Sequence, residues 1–295
     1  MNFEIFVSQF LGGLSVAMLL FLVASGLTLI FGVAKVFNFA HGSFYLLGSY
    51  FSYQVITIFD NFWAGVVAAA LGAGLVGMAL EICFIRRISG RDEEGAFQIL
   101  LTYAFILIID DVVKFIWGPA YKTIQKPESL AGSLDMGTVS LPTYNLFIII
   151  LGIVIVLSAW YVLSRTKTGK IIQAASTDSQ MVGLLGVNVS LVMSLVFGVA
   201  TAMGGLAGAM AAPLRTVTPG AGIEIIIDSL IVVVIGGLGN FWGALFAALL
   251  IGEVNAFGIL WMPQWASLLS FAVMIVVLIF KPKGLFSREQ GRKKI

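Results

Sequence analysis

The sequence predicts an all-α polytopic membrane protein, because it is rich in apolar residues, poor in charge and lacks any long polar stretch. Hydrophobic residues make up 59% of the 295 residues, charged residues 11%, and the mean hydropathy is +1.03. Soluble domains carry roughly 25% charged residues, so the deficit indicates a surface that largely faces lipid. The longest polar stretch, 118–142, is too short for a separate domain, and we expect 1–295 to form one transmembrane domain.

A helix needs about 20 mainly apolar residues to cross a bilayer. Continuously apolar runs favour helices over a β-barrel, whose strands alternate in polarity. One of these runs, 224–238, is short and ends in glycines, so a full crossing and a re-entrant element are both compatible with it. About nine membrane segments (8–10) are predicted, with boundaries near 6–31, 36–59, 63–85, 96–117, 143–163, 190–212, 224–238, 241–260 and 264–280.

Glycine is frequent within these segments. Ala73 and Gly77, Gly204 and Gly208, and Gly239 and Gly243 have the spacing that lets helix backbones approach closely. Packing within one subunit and packing between subunits are both compatible with this spacing. The run 236–240, with three glycines, predicts a break between two helices at a membrane face.

The basic residues predict the orientation. With nine crossings and a cytoplasmic C-terminus, thirteen Lys and Arg residues fall on the inner side and four on the outer side, the asymmetry that the positive-inside rule predicts. The N-terminus is therefore expected outside, and 281–295 forms a basic cytoplasmic tail. The inner residues are Lys35, Arg86, Arg87, Arg91, Arg165, Lys167, Lys170, Lys281, Lys283, Arg288, Arg292, Lys293 and Lys294; the outer ones are Lys114, Lys122, Lys126 and Arg215.

Cys83 and His41 are the only cysteine and histidine. Zinc sites that need two or three Cys or His ligands are excluded, as are most Ser-His-Asp arrangements. No Gly-x-Ser-x-Gly motif occurs, and no Gly-x-x-x-x-Gly-Lys-Ser/Thr phosphate cradle occurs. We therefore expect no catalytic residues, no metal site and no cofactor, and a transport role instead of an enzymatic one.

The polar segment 164–189 is expected to be a cytoplasmic loop that carries a short helix. Thr177 or Asp178 is a suitable N-cap, and Gly186 is a suitable stop. A helix between them places apolar residues on one face, which must be buried against the membrane surface or against a soluble partner. The residues that this interpretation singles out are Asp178, Met181, Gly183, Leu184, Leu185 and Gly186.

This loop resembles the coupling loop of permease subunits in branched-chain (hydrophobic) amino acid ABC importers of the LivH type. Three further stretches are similar to segments of the same family, and they occur in the family's order over nearly the whole chain. They are Asn38-Phe39-Ala40-His41-Gly42, Val234-Ile235-Gly236-Gly237-Leu238-Gly239, and Lys281-Pro282-Lys283-Gly284-Leu285-Phe286.

The resemblance implies a type II ABC importer permease-like bundle in a bacterial cytoplasmic membrane. It implies three kinds of protein partner: two cytoplasmic ABC ATPase subunits, a second permease subunit that is expected to be a paralogue, and an extracytoplasmic solute-binding protein. It also implies a small-molecule substrate and no nucleic acid. Branched-chain amino acids are the expected solute; urea, amides, and aromatic or dicarboxylic acids stay open.

Several polar residues are candidates for the pathway or its gate. Asp110 and Asp111 lie one helical turn before Lys114, which is compatible with a structural ion pair or with a polar pathway lining. Glu224 and Asp228 share one helical face near Arg215 and are compatible with a contact to the binding protein, an outer gate or a simple interfacial position. Two features depart from the family pattern. Many members carry an acidic residue where this chain has Ser43, and many are less acidic in the helices that carry Asp110, Asp111 and Asp228 here.

The segment around His41 is the last candidate. A lone histidine beside Asn38 and glycine is compatible with a ligand in the pathway and with a backbone break between helices, and Ser43 is expected to face the bundle.

Two other functions compete with an importer permease. A stand-alone secondary transporter or channel explains the same hydropathy but gives 164–189 no role, and a membrane enzyme lacks its motifs.

Overall fold

The computed structural model describes residues 3–88, 94–136 and 139–286. Its helices are α1 (Phe3–Ala34), α2 (His41–Phe59), α3 (Phe62–Leu80), α4 (Glu94–Trp117), α5 (Thr143–Arg165), α6 (Lys167–Thr177), α7 (Ser179–Leu184), α8 (Val189–Ala211), α9 (Ala221–Gly236), α10 (Phe241–Trp261) and α11 (Ala266–Phe280). α3 continues through a π turn, Glu81–Ile85, into a last turn, Arg86–Ile88. Short 3-10 turns occupy Glu128–Leu130 and Pro263–Trp265.

A helix occupies each of the nine predicted apolar segments. Among the described residues, six helical stretches are long and apolar enough to cross a membrane, which confirms a polytopic helical protein. α2, α4 and α9 are outside that set, and α9 has only 16 residues, below the ~20 that a crossing needs. Nine crossings therefore stay a prediction.

Two parts of the chain differ from the sequence-based boundaries. The second segment was expected from residue 36, but α2 begins at His41, after a turn in which Lys35 has φ 54° and the His41 amide donates to the Asn38 carbonyl at 3.2 Å. An apolar run does not reveal such a turn. The polar stretch 118–142 contains an antiparallel hairpin of β1 (Ser133–Met136) and β2 (Val139–Pro142), paired Ser133 with Pro142 and Met136 with Val139.

α1 is the central helix of the bundle: most of its apolar span is buried, and it packs against α5, α8, α9 and α10. α2, α3 and α8 pack together beside it, whereas α11 lies at the periphery. Small residues at the predicted spacing make the close contacts. A Cβ on Gly77 would overlap Thr201, and one on Gly208 would overlap the Tyr45 carbonyl. Outside the predicted pairs, a Cβ on Gly48 would overlap the backbone of Gly205. These glycines therefore serve packing within the subunit.

The predicted break at 236–240 is present. α9 ends at Gly236, Gly237 and Gly239 have φ values of 97° and 77°, and Asn240 caps α10 by accepting from the Gly243 amide at 3.0 Å. Glycine adopts such positive φ values without strain. Residues 281–286 then fold back onto this corner: the Leu285 and Phe286 amides donate to the carbonyls of Ile235 and Gly236 at 2.8 and 3.3 Å.

Candidate functional site

The segment between α5 and α8 forms two helices joined by tight caps. Thr166 ends α5 and caps α6, because its Oγ1 accepts from the Gly169 amide at 3.1 Å. The Gln173 side chain donates back to the Leu163 carbonyl at 2.8 Å, which holds α6 against the end of α5. The expected loop at 164–189 thus contains α6 in addition to the one short helix that the sequence predicted.

α7 is the short helix predicted in this segment. Asp178 caps it by accepting from the Met181 amide at 2.9 Å, and the chain leaves it through Gly186 at φ 84°. Val182 is buried, whereas Leu184 and Leu185 are 83% and 76% exposed. Met181 is also exposed, and we call Met181, Leu184 and Leu185 the α7 apolar face.

A polar network lies where α3 ends beside the start of α8. Glu81 is buried and binds Arg86 through two contacts, 3.1 Å from Nε to Oε1 and 2.8 Å from Nη2 to Oε2. Ser194 donates to Glu81 Oε2 at 2.7 Å, and Arg86 donates to the Ser190 carbonyl at 3.0 Å. The network therefore ties the π turn of α3 to α8. The sequence does not predict this network, because Glu81 and Arg86 are five residues apart, whereas an α-helix brings together residues three or four apart.

This network borders the α7 segment. A cavity of about 240 Å³ is lined by Glu81 and Arg86 of the network, by Met193 and Phe197 of α8, and by Ser179, the first residue of α7. The start of α7 therefore lines the same cavity as the end of α3 and the start of α8.

A second site lies between α2, α9 and the loop that joins α8 to α9. It is a cavity of about 200 Å³, which we call the polar cavity. Glu224 and Asp228 are on its wall, as successive turns of α9 place them on one face. Arg215, expected near them, lines it too, and sequence reasoning missed the contribution of α2. Its lining is Tyr45, Leu46, Ser49, Ala212, Arg215, Thr216, Val217, Thr218, Ala221, Glu224, Ile225 and Asp228.

Asp110 and Asp111 differ in their surroundings. Lys114 Nζ lies 2.5 Å from Asp110 Oδ2 and 3.3 Å from Asp111 Oδ1. Asp110 Oδ1 also accepts from the Gly220 amide at 2.5 Å, just before α9 begins, whereas the Asp111 side chain is 79% exposed. Neither carboxylate lines the polar cavity. The expected ion pair is therefore present, and Asp110 also fixes the start of α9.

Asn38, His41 and Ser43 are all buried, and none lines the polar cavity. Among the described residues, the Asn38 side chain has no hydrogen-bond partner. His41 interacts with the backbone of Val23, but neither ring nitrogen makes a hydrogen bond of ordinary geometry. The ring lies against Gly26 and Gly204, between α1 and α8. His41 thus follows a backbone turn between α1 and α2, as one interpretation expected, and its role as a ligand in the pathway stays a prediction.

The two sites lie at opposite ends of the bundle. Arg86 lines the cavity beside α7, at the start of α8, and Arg215 lines the polar cavity, after the end of α8. Lys122 joins that end through a bridge to Val217, with N–O distances of 3.0 and 2.9 Å. The orientation of the chain in the membrane stays a prediction. Five residues of the predicted inner set, Arg91, Arg288, Arg292, Lys293 and Lys294, lie outside the described residues.

Comparisons with known proteins agree over nearly the whole chain. A family model described as a permease component of branched-chain amino acid transport systems matches residues 9–278. The high-affinity branched-chain amino acid transport permease BraD of Pseudomonas aeruginosa is 26% identical over 98% of each chain. LivH of Escherichia coli, with the same description, is 25% identical over 99% of each chain.

Two other similarities are more distant in function or sequence. The fructose import permease FrcC of Rhizobium meliloti is 34% identical over 46% of this chain and 39% of its own. The solved structure of PsaBC from Streptococcus pneumoniae in complex with Fab aligns with 96% of this chain and 94% of that chain, at a TM-score of 0.52 and 13% identity. This last likeness indicates a shared fold alone.

Proposed function

The chain belongs to the family of permease components of branched-chain amino acid transport systems, and we propose that it is the membrane subunit of an ATP-driven importer. In this proposal, it forms the translocation path together with a second permease subunit, in a bacterial cytoplasmic membrane. Two cytoplasmic ATPase subunits drive the cycle, and an extracytoplasmic binding protein delivers the solute.

The α7 apolar face carries this proposal. Leu184 and Leu185 are exposed at the end of the bundle that holds most of the described basic residues, which is the cytoplasmic end by the positive-inside rule. A rigid, capped helix that presents apolar side chains fits a groove on a soluble partner. The sequence lacks a phosphate cradle of its own, so a separate ATPase is the partner that we propose for this face.

Branched-chain amino acids are the solute that we propose. BraD and LivH, which align over nearly the full chain, are described as branched-chain amino acid permeases. FrcC, a fructose permease, aligns over less than half. Leucine, isoleucine and valine are therefore the first solutes to test, before amides, aromatic acids and sugars.

The test uses the Leu184→Asp/Leu185→Asp variant of the chain, co-expressed with its partner subunits. Two carboxylates on the α7 apolar face cannot be buried without a large desolvation cost. We expect the ATPase subunits to be lost during purification, or solute-stimulated ATP hydrolysis to fall at least tenfold, while membrane insertion is unchanged. A matched control is Tyr121→Asp/Leu134→Asp, which alters two exposed apolar residues in the 118–142 stretch.

The outcomes separate the importer from its main rival. Normal subunit composition and normal stimulated hydrolysis in the Leu184→Asp/Leu185→Asp variant contradict docking at α7. Uptake of labelled L-leucine by proteoliposomes that contain this chain without any ATPase subunit, at the rate of the complete complex, indicates a stand-alone transporter or channel instead.

A further inference from the structure

The polar cavity contains both signs of charge beside an aliphatic wall. We propose that it is a binding site for a zwitterionic aliphatic α-amino acid on its way through the permease. Arg215 binds the carboxylate of the solute, and Asp228 and Glu224 bind its ammonium group. The inference rests on the proposed transport function and names the class of solute that this site takes.

The three charged groups are available to a ligand. Among the described residues, Arg215 forms no contact ion pair or hydrogen bond through its side chain with Glu224 or Asp228, although it is near enough to Asp228 to interact electrostatically. Arg215 and Glu224 are exposed, and Asp228 is partly buried. A structural salt bridge brings opposite charges into contact, whereas here the elements that carry them line a shared space of about 200 Å³.

These groups come from two different elements of the cavity lining, the loop after α8 and α9, and backbone contacts hold each element. The Arg215 amide donates to the Ala211 carbonyl at 3.0 Å, and the Lys122–Val217 bridge fixes the loop two residues later. Glu224 and Asp228 project from α9, whose first turn packs against α2 through the backbones of Gly42 and Gly222. Because a guanidinium fork matches a carboxylate in geometry, a solute carboxylate bound to Arg215 leaves the ammonium group for the carboxylates of α9.

The rest of the lining suits an aliphatic side chain. Apolar surface comes from Leu46 of α2, from Val217 of the loop and from Ile225 of α9. The volume of about 200 Å³ is below the ~300–1,000 Å³ of sites for drug-sized ligands. A small solute with a zwitterionic head and an apolar side chain therefore complements the cavity in charge, polarity and size.

Three probes test the proposal on the purified complex without ATP: L-leucine, leucinamide, which lacks the carboxylate, and 4-methylpentanoate, which lacks the ammonium group. In equilibrium dialysis we expect L-leucine to bind at least tenfold more tightly than either analogue. Arg215→Met removes the preference over leucinamide, and the Glu224→Gln/Asp228→Asn variant removes the preference over 4-methylpentanoate. Asp60→Asn, a carboxylate outside the lining at the end of α2, leaves both preferences unchanged.

A second measurement separates solute binding from the ATPase cycle. In the complete importer with saturating loaded binding protein, Arg215→Met and the Glu224→Gln/Asp228→Asn variant should lower leucine uptake at least tenfold and change stimulated ATP hydrolysis less than twofold. Equal binding of the three probes by the unaltered complex overturns the inference, as does a parallel loss of uptake and hydrolysis. If the unaltered complex shows no ATP-dependent uptake at all, the proposed function itself fails.

Discussion

Arg86 binds both carboxylate oxygens of Glu81 across the π turn that extends α3. The contacts measure 3.1 Å from Nε and 2.8 Å from Nη2, and Ser194 of α8 donates to the same carboxylate. An α-helix brings residues i and i+4 together, whereas the wider π turn, Glu81–Ile85, brings residues five apart into contact. The pair therefore joins two helices at the end of the bundle that holds α7.

Breaking this pair from one side should destabilise the protein. Arg86→Met leaves the buried Glu81 carboxylate without its cation, and such a loss costs ~3–5 kcal/mol in other proteins. Since the Arg86 side chain is 36% exposed, we expect a value near the lower limit. The thermal midpoint of the detergent-solubilised protein measures it.

The double variant Glu81→Gln/Arg86→Met is the informative companion, because it removes the buried charge together with its partner and should recover most of the stability. Arg87→Met, at the exposed neighbouring position, is the control. A double variant no more stable than Arg86→Met alone contradicts this explanation.

Asp110 and Asp111 should respond differently to substitution by alanine. Asp110→Ala removes an ion pair to Lys114 and the acceptor of the Gly220 amide, and hydrogen bonds to charged groups contribute about 1.5–3 kcal/mol. Asp111 is 79% exposed, so Asp111→Ala should leave the thermal midpoint within error. Equal effects of the two substitutions would show that Gly220 does not depend on Asp110.

The same cluster can be tested for a role in the pathway. The triple variant Asp110→Asn/Asp111→Asn/Lys114→Met leaves no unpaired charge at these positions. We expect it to express better than Lys114→Met alone and to transport leucine. A triple variant that expresses well but transports nothing would favour the pathway interpretation over the ion pair.

The contact between Gly48 and Gly205 predicts a position-specific effect of a methyl group. Gly48→Ala places a Cβ against the Gly205 backbone, and overpacking of this kind costs ~1–3 kcal/mol. Gly12→Ala, in α1, meets nothing within 4 Å and should be neutral or stabilising, because alanine favours helix by ~1 kcal/mol over glycine. Thermal unfolding of the two variants measures the difference, and equal midpoints would contradict tight α2–α8 packing.

The orientation can be tested by labelling single cysteines introduced after Cys83→Ser. A cysteine at Tyr121, which is 75% exposed, should react with an impermeant maleimide added to intact cells. A cysteine at Leu184, which is 83% exposed, should react only after the membrane is permeabilised. The opposite pattern would reverse the predicted orientation, with the N-terminus inside.

Local signals in the sequence predicted local structure well. The Asp178 cap, the Gly186 stop and the break at 236–240 each depend on a few adjacent residues, and the structure has all three. Helix positions followed from apolar length. The start of α2 was placed too early because residues 36–40 are apolar except for Asn38, and hydropathy does not distinguish a turn from a helix.

The two candidate sites required information from distant parts of the chain. The polar cavity combines Tyr45 of α2, Arg215 of a loop and Asp228 of α9, and no periodicity in the sequence brings α2 beside α9. Sequence reasoning paired Glu224 with Asp228 because they share one helix face, but it had no basis for adding Tyr45 or Ser49. Similarly, the Glu81–Arg86 pair depends on a π turn that residue spacing does not indicate.

The contact of residues 281–286 with the α9–α10 corner constrains the order of biogenesis. The carbonyls of Ile235 and Gly236 receive their hydrogen bonds from Leu285 and Phe286, and the Asn240 side chain donates to the Phe286 carbonyl at 2.5 Å. The ribosome makes these partners only after α10 and α11. The corner between α9 and α10 therefore lacks these hydrogen bonds while α10 and α11 are inserted, and it forms them after residues 281–286 are synthesised.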